Sequence, residues 1–163
     1  MKLFGLILFL FLSFCLPAQE TKSTADSLGI MPEFTFYNLY GQVFTPDSLK
    51  KGKHKTVIIY FKTSCEFCLS EFKIIKHNRS EFPETQFVLV SREPVEDLVR
   101  YDSLRQFSHY PHIRVLQDKN NNYYSYYTAH YTPSIHIYDE KRRLIRFSDG
   151  MISKEELIRL LKN

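Results

Sequence analysis

The sequence predicts one α/β domain built on a largely parallel central sheet. Two continuous runs of β-branched and aromatic residues, 57–61 (VIIYF) and 87–90 (FVLV), have the all-apolar character of strands buried on both faces. Each is followed by a segment with helical spacing of apolar side chains. At 163 residues the chain can bury one sizeable core and is short for two domains.

The elements follow in chain order. Lys2, an apolar run over residues 3–16, then Pro17 and Ala18 have the charged, apolar, small-residue order of a secretory signal, and the run is shorter than a membrane span requires. Cleavage after Ala18 is expected, making 1–18 a signal peptide. Leu16, bulky for its place before the cut, leaves an uncleaved anchor open. Cys15 raises a lipoprotein reading, against which stands Phe14, where a lipid-attachment signal has a small residue. Residues 19–30 are polar without apolar period and read as a flexible leader to a domain spanning 31–163. Phe34 and Phe36 alternate with polar neighbours ahead of a turn at Tyr40-Gly41, which predicts a short hairpin ended by Pro46. The strand at 57–61 leads to a helix over 66–82, with Leu69, Phe72, Ile75 and Phe82 on one face and Pro83 closing it. The strand at 87–90 leads to a helix over 95–107 that carries Leu98, Val99 and Leu104. A short strand at 113–116 and the turn QDKNNN precede a tyrosine-rich stretch, 123–131. Two antiparallel strands, 135–138 and 144–147, flank the charged turn 139–142. The last helix, 153–161, opens on a capping box of Ser153 and Glu156.

Composition narrows the function classes. The contents, 44% hydrophobic and 25% charged, are those of a globular protein. The formal net charge of +4 falls by one if Lys2 leaves with the signal, too mild a basic excess to predict a nucleic-acid partner. Cysteine usage is more informative. A chain cut after Ala18 keeps only Cys65 and Cys68, three positions apart, where the first buried strand gives way to a helix. A disulfide across so short a loop removes little unfolded-state entropy, which argues against a purely structural staple. A structural zinc site needs a second cysteine pair or two suitably spaced histidines. His77 is the only histidine close behind, and His54, His109, His112, His130 and His136 are scattered. A redox couple remains the leading reading. A thiol at a helix start meets unpaired N–H groups and a partial positive charge, so Cys65 is expected to attack and Cys68, one turn inward, to resolve. Glu66 lies between them, and its charge opposes thiolate formation, favouring a more reducing couple.

On these pieces the chain from Met31 onward resembles the TlpA/ResA-like thiol-disulfide oxidoreductases of the thioredoxin superfamily. The matching stretches are MPEFTFYNLYGQVF, LKKGKHKTVIIYF, CEFCLSE, YTPSIHIYDEKRRLI and GMISKEELIRLL, in the family's order. The resemblance implies a thioredoxin-like fold: a central mixed sheet flanked by helices, with the hairpin as an N-terminal extension. It also implies a cis peptide at Thr132-Pro133 facing the cysteines, and a proton-handling role for Glu71, which matches the acid of a Cys-Glu-Pro-Cys-x-x-Glu motif. By spacing alone, Glu71 fits a solvent-facing helix acid equally well. Ser64 replaces the usual Trp, Phe67 replaces a common Pro, and Ile59 stands where cytoplasmic thioredoxins carry a buried Asp. The expected site is thus Cys65, Cys68 and Glu71 for catalysis, with Thr132, Pro133 and Phe67 touching substrate, and no metal or organic cofactor.

The resemblance further implies a periplasmic or secreted reductase of protein disulfides, apocytochrome c among them. Its electrons would come from a membrane donor of the DsbD type. Two alternatives stay open: a soft-metal module holding copper(I) on the two thiolates, and a redox-inert interaction domain, suggested by Ser64 and Phe67. A peroxidase is disfavoured, because Lys62 occupies the place of the Thr that peroxiredoxins need. The five tyrosines at 123, 124, 126, 127 and 131 fit core packing better than a recognition platform. The sequon Asn78-Arg79-Ser80 falls within a predicted helix and is set aside.

Overall fold

The computed structural model describes residues 29–127 and 129–162. The expected signal peptide and residues 19–28 of the leader lie outside these. The elements are β1 (Phe36–Asn38), β2 (Val43–Phe44), β3 (Lys55–Tyr60), α1 (Glu66–His77), β4 (Thr85–Ser91), α2 (Val95–Arg105), β5 (Ile113–Gln117), α3 (Tyr123–Tyr126), β6 (Ser134–Tyr138), β7 (Leu144–Asp149) and α4 (Lys154–Lys162). Single 3-10 turns occupy Pro46–Ser48, Arg79–Glu81 and Phe107–His109. The strands form one mixed sheet in the order β2-β1-β5-β4-β3-β6-β7. Within it β3, β4 and β5 run parallel, while β6 and β7 on one side and β1 and β2 on the other are antiparallel. The fold is thioredoxin-like, and the hairpin joins the sheet through β1 and β5 as its N-terminal extension.

Strand β3 lies between β4 and β6, with Ile59 opposite Leu89 on one side and Ile135 on the other. Successive side chains on a strand point to opposite faces, so an all-apolar strand builds two cores at once. Val57, Ile59 and the following Phe61 face a layer made by α1, α2 and α4, meeting Phe72, Ile75, Leu98, Tyr101, Leu157 and Leu161. Ile58 and Tyr60 face the other way, into Phe34, Phe36, Leu49, Tyr123 and Tyr127. The start of β3 is tied to the last helix, where Lys55 Nζ donates to the Leu160 carbonyl at 3.0 Å.

Several boundaries differ from expectation, each for a local reason. The first helix stops at His77 rather than near Phe82, because the Asn78 side chain donates to the Ile74 carbonyl at 2.7 Å and caps it. Phe82 still reaches the core from the 3-10 turn that follows. In α2 Leu98 is buried as the sequence predicts, with Tyr101 beside it, while the apolar residues Val99 and Leu104 face solvent. The helix ends at Arg105, where Gln106 turns left-handed at φ 58°, which brings Phe107 edge-on to Phe72 with ring centres 5.3 Å apart. Only half of the capping box forms: Ser153 Oγ accepts from the Glu156 amide, while the Glu156 carboxylate pairs with Arg146. The last two residues of the expected leader are tied to the sheet: Ile30 bridges to Arg143, and the Leu144 amide donates to the Gly29 carbonyl.

The tyrosine-rich stretch divides. The buried Asp118 carboxylate accepts from the amides of Asn122 and Tyr123, both at 2.8 Å, and so starts the single turn of α3. Tyr123 and Tyr127 then enter the core, with Tyr123 stacked on Tyr60 at 4.3 Å, as core packing requires. Tyr124 and Tyr131 do not; both are exposed.

Candidate active site

The two cysteines sit where β3 delivers the chain into α1. Cys65 is the N-cap, with extended backbone at φ −83° and ψ 109°, and its Sγ accepts the Cys68 amide at 3.1 Å. That contact puts one of the helix's unpaired donors on sulfur, where negative charge on Cys65 is favoured. The pair is joined in a disulfide. Cys65 is half-buried and Cys68 wholly buried, so only the first sulfur can meet a large partner. Its approach loop is held by Glu93, just past the end of β4. This carboxylate accepts from the Thr63 amide at 2.8 Å, the Thr63 hydroxyl at 3.1 Å and the Ser91 hydroxyl at 3.2 Å.

Glu71, one helical turn beyond Cys68, is completely buried. One carboxyl oxygen accepts from the Ile152 amide at 3.0 Å, and the other has no partner among the described residues. Removal from water pushes its pKa from the ordinary 4.5 up to about 7, the Ile152 N–H offsetting part of the rise. The solvent-facing alternative for this acid therefore does not hold. Ile59 is buried in the core on the face that receives α1.

The Thr132-Pro133 bond is cis, and the Thr132 carbonyl oxygen lies 3.5 Å from Cys65 Sγ. Asp149, at the end of β7, holds the segment just before it, accepting from the His130 amide at 2.8 Å and the Tyr131 amide at 3.5 Å. The Gly150 amide donates to the Pro133 carbonyl at 2.8 Å. Beside this loop opens a cleft of about 630 Å³, lined by Phe67, Thr132 and Pro133 together with Lys62, Tyr124, His130, Tyr131, Gly150 and Met151.

All six residues singled out from the sequence, Cys65, Phe67, Cys68, Glu71, Thr132 and Pro133, thus fall at one end of the sheet. Sequence reasoning missed Glu93, Asp149 and the Ile152 amide, which act through partners 30, 19 and 81 positions away and leave no local signal. Tyr131 could have been found from its place beside Thr132-Pro133. Among the described residues no group of three or more His, Cys, Asp or Glu side chains is placed to hold a metal ion, and no helix is long and apolar enough to cross a membrane.

No protein-family model and no curated protein sequence matches the chain. Solved structures do match in fold. A secreted disulfide oxidoreductase from Mycobacterium tuberculosis, described as homologous to DsbE of E. coli, superposes with a TM-score of 0.65 at 21% identity, over 83% of this chain and 96% of that one. A thio-disulfide isomerase from Thermus thermophilus gives 0.62 at 21% identity, over 80% and 91%. A thiol peroxidase from Chromobacterium violaceum gives 0.67 at 12% identity, over 83% and 85%. These likenesses establish the thioredoxin-like fold.

Proposed function

We propose that the chain is an extracytoplasmic thiol-disulfide oxidoreductase of the TlpA/ResA-like kind that reduces disulfides in other proteins. The observation that carries this reading is the half-buried Cys65 sulfur at a helix N-cap, 3.5 Å from the Thr132 carbonyl and bonded to a buried Cys68. In the reduced form the Cys65 thiolate attacks one sulfur of a substrate disulfide. That bond breaks, the substrate's other sulfur leaves as a thiolate and takes up a proton, and a mixed disulfide forms. Cys68 then gives its proton to the Glu71 carboxylate and attacks Cys65. The substrate's second sulfur leaves, and the Cys65–Cys68 disulfide remains. With a pKa near 7, Glu71 is divided between its acid and base forms at neutral pH, which suits a group that must both take and return a proton.

Phe67, Thr132 and Pro133 form the substrate-facing wall. Two electrons must return the disulfide to its dithiol, and a membrane carrier of the DsbD type is the donor that the family likeness implies. The chemistry needs no metal and no organic cofactor. Export rests on the signal-like residues 1–18, and apocytochrome c cysteines are among the substrates this reading admits. Insulin-disulfide reduction with dithiothreitol as electron source tests it: the wild-type chain should accelerate precipitation of the insulin B chain, and a Cys65→Ser variant should not. Full activity in that variant overturns the assignment.

A further inference from the structure

Resting on that disulfide exchange, we infer that the cleft beside Thr132-Pro133 selects substrate segments carrying a large apolar side chain and a carboxylate within two residues of the reacting cysteine. Four exposed apolar side chains converge there from separate parts of the chain: Phe67 from the first turn of α1, Tyr124 from α3, Tyr131 from the loop before Pro133, and Met151 from the segment after β7. They are 68%, 47%, 72% and 38% exposed, values that matter because they meet in one place. Scattered exposed apolar residues are ordinary on a protein surface, whereas their convergence on one concavity marks a binding face. A volume of about 630 Å³ admits a bulky side chain together with its neighbour.

Charge selects the second feature. Lys62 brings a positive charge to the cleft, and no Asp or Glu lines it. Glu66, next to Phe67, is exposed but does not line the cleft, and Asp149 has its two oxygens turned onto the His130 and Tyr131 amides. A carboxylate on the substrate therefore meets complementary charge, and an ammonium meets like charge. The position follows from reach. The substrate sulfur must come to Cys65, which lies against the Thr132 carbonyl that borders the cleft. An extended peptide rises about 3.3 Å per residue, so two residues from the cysteine span about 7 Å. The cleft is open to solvent rather than enclosed, as docking of a protein segment needs.

The test uses pre-reduced protein in single-turnover reactions with three disulfide-bridged synthetic peptides, whose cysteine is flanked by Phe and Asp, by Phe and Lys, or by Ala and Ser. Half-saturation and limiting rate are read separately. The Phe-Asp peptide should half-saturate at about tenfold lower concentration than the Ala-Ser peptide, a difference of about 1.4 kcal/mol. Its advantage over the Phe-Lys peptide should shrink in high salt. Tyr131→Ala and Lys62→Gln should each raise half-saturation for the Phe-Asp peptide and leave its limiting rate in place. Equal half-saturation for all three peptides on the wild-type protein overturns the selectivity and leaves the exchange chemistry standing. If the reduced protein reacts with no peptide and not with insulin either, the exchange reading and the selectivity fall together.

Discussion

Replacing Glu71 with Gln distinguishes an acid that titrates inside the fold from one that only fills space. Folding encloses this carboxyl completely and raises its pKa from 4.5 to about 7. Unfolding returns it to water, so between those pH values the folded chain keeps a proton that the unfolded chain has released. The stability this group permits is whole below about pH 4.5 and is lost as pH rises, until the folded carboxyl also ionises near 7. At about 1.4 kcal/mol per tenfold in proton affinity, the full loss is about 3 kcal/mol. Glutamine is neutral at every pH and keeps an oxygen for the Ile152 amide. E71Q should therefore match the wild type near pH 4.5 and exceed it by about 3 kcal/mol at pH 8. Urea unfolding of both oxidised proteins at intervals from pH 4.5 to 8, with the slopes checked for equality, measures the gap. A gap that stays constant across this range refutes the reasoning, because it means that folding leaves the proton affinity of Glu71 unchanged.

Two further outcomes follow from the core. His136 is buried between Tyr127 and Phe147, accepts or donates at Tyr123 Oη, and has its pKa pushed down to about 4 by loss of water. The unfolded chain thus binds its proton first, and stability is lost as pH falls from 6.5 toward 4. His136→Phe should flatten that acid limb while costing about 1–3 kcal/mol at pH 7 by stranding the Tyr123 hydroxyl, and acid titration of unfolding by circular dichroism reads both. Phe72 meets Phe61 and Phe107 edge-on, each at 5.3 Å, in the layer beneath α1. Phe72→Ala should cost about 3–5 kcal/mol in denaturant unfolding, and a loss under 1 kcal/mol contradicts the packing described.

What could be read from the sequence was whatever the chain states locally. The strands at 57–61 and 87–90 are apolar without interruption, and an uninterrupted run has no face to misassign. The cysteine pair announces itself by spacing. Val99 and Leu104 misled because an apolar residue on a sparsely apolar helix need not face inward; Leu98 and Tyr101, three apart, take the buried stripe. Helix α1 ended five residues early because a side-chain cap at Asn78 acted before the proline chosen as the stop. The state of Glu71 was undecidable, since its burial depends on Ile152, brought to it by the far side of the fold. For the same reason nothing near Cys65 pointed to Glu93, and nothing near Pro133 pointed to Asp149.

The attachment of Gly29 and Ile30 beside Arg143, and of Leu160 to Lys55, has a practical outcome for handling the protein. Strand β3 climbs from Lys55 to Tyr60 toward the sulfurs, and β7 climbs from Leu144 to Asp149 toward the proline loop. Gly29, Ile30 and Leu160 are therefore all fastened at the base of the sheet, about 20 Å of strand away from the reactive pole at about 3.3 Å per residue. A sensor surface or affinity handle joined after the last helix holds the molecule by its base and presents the cysteines outward.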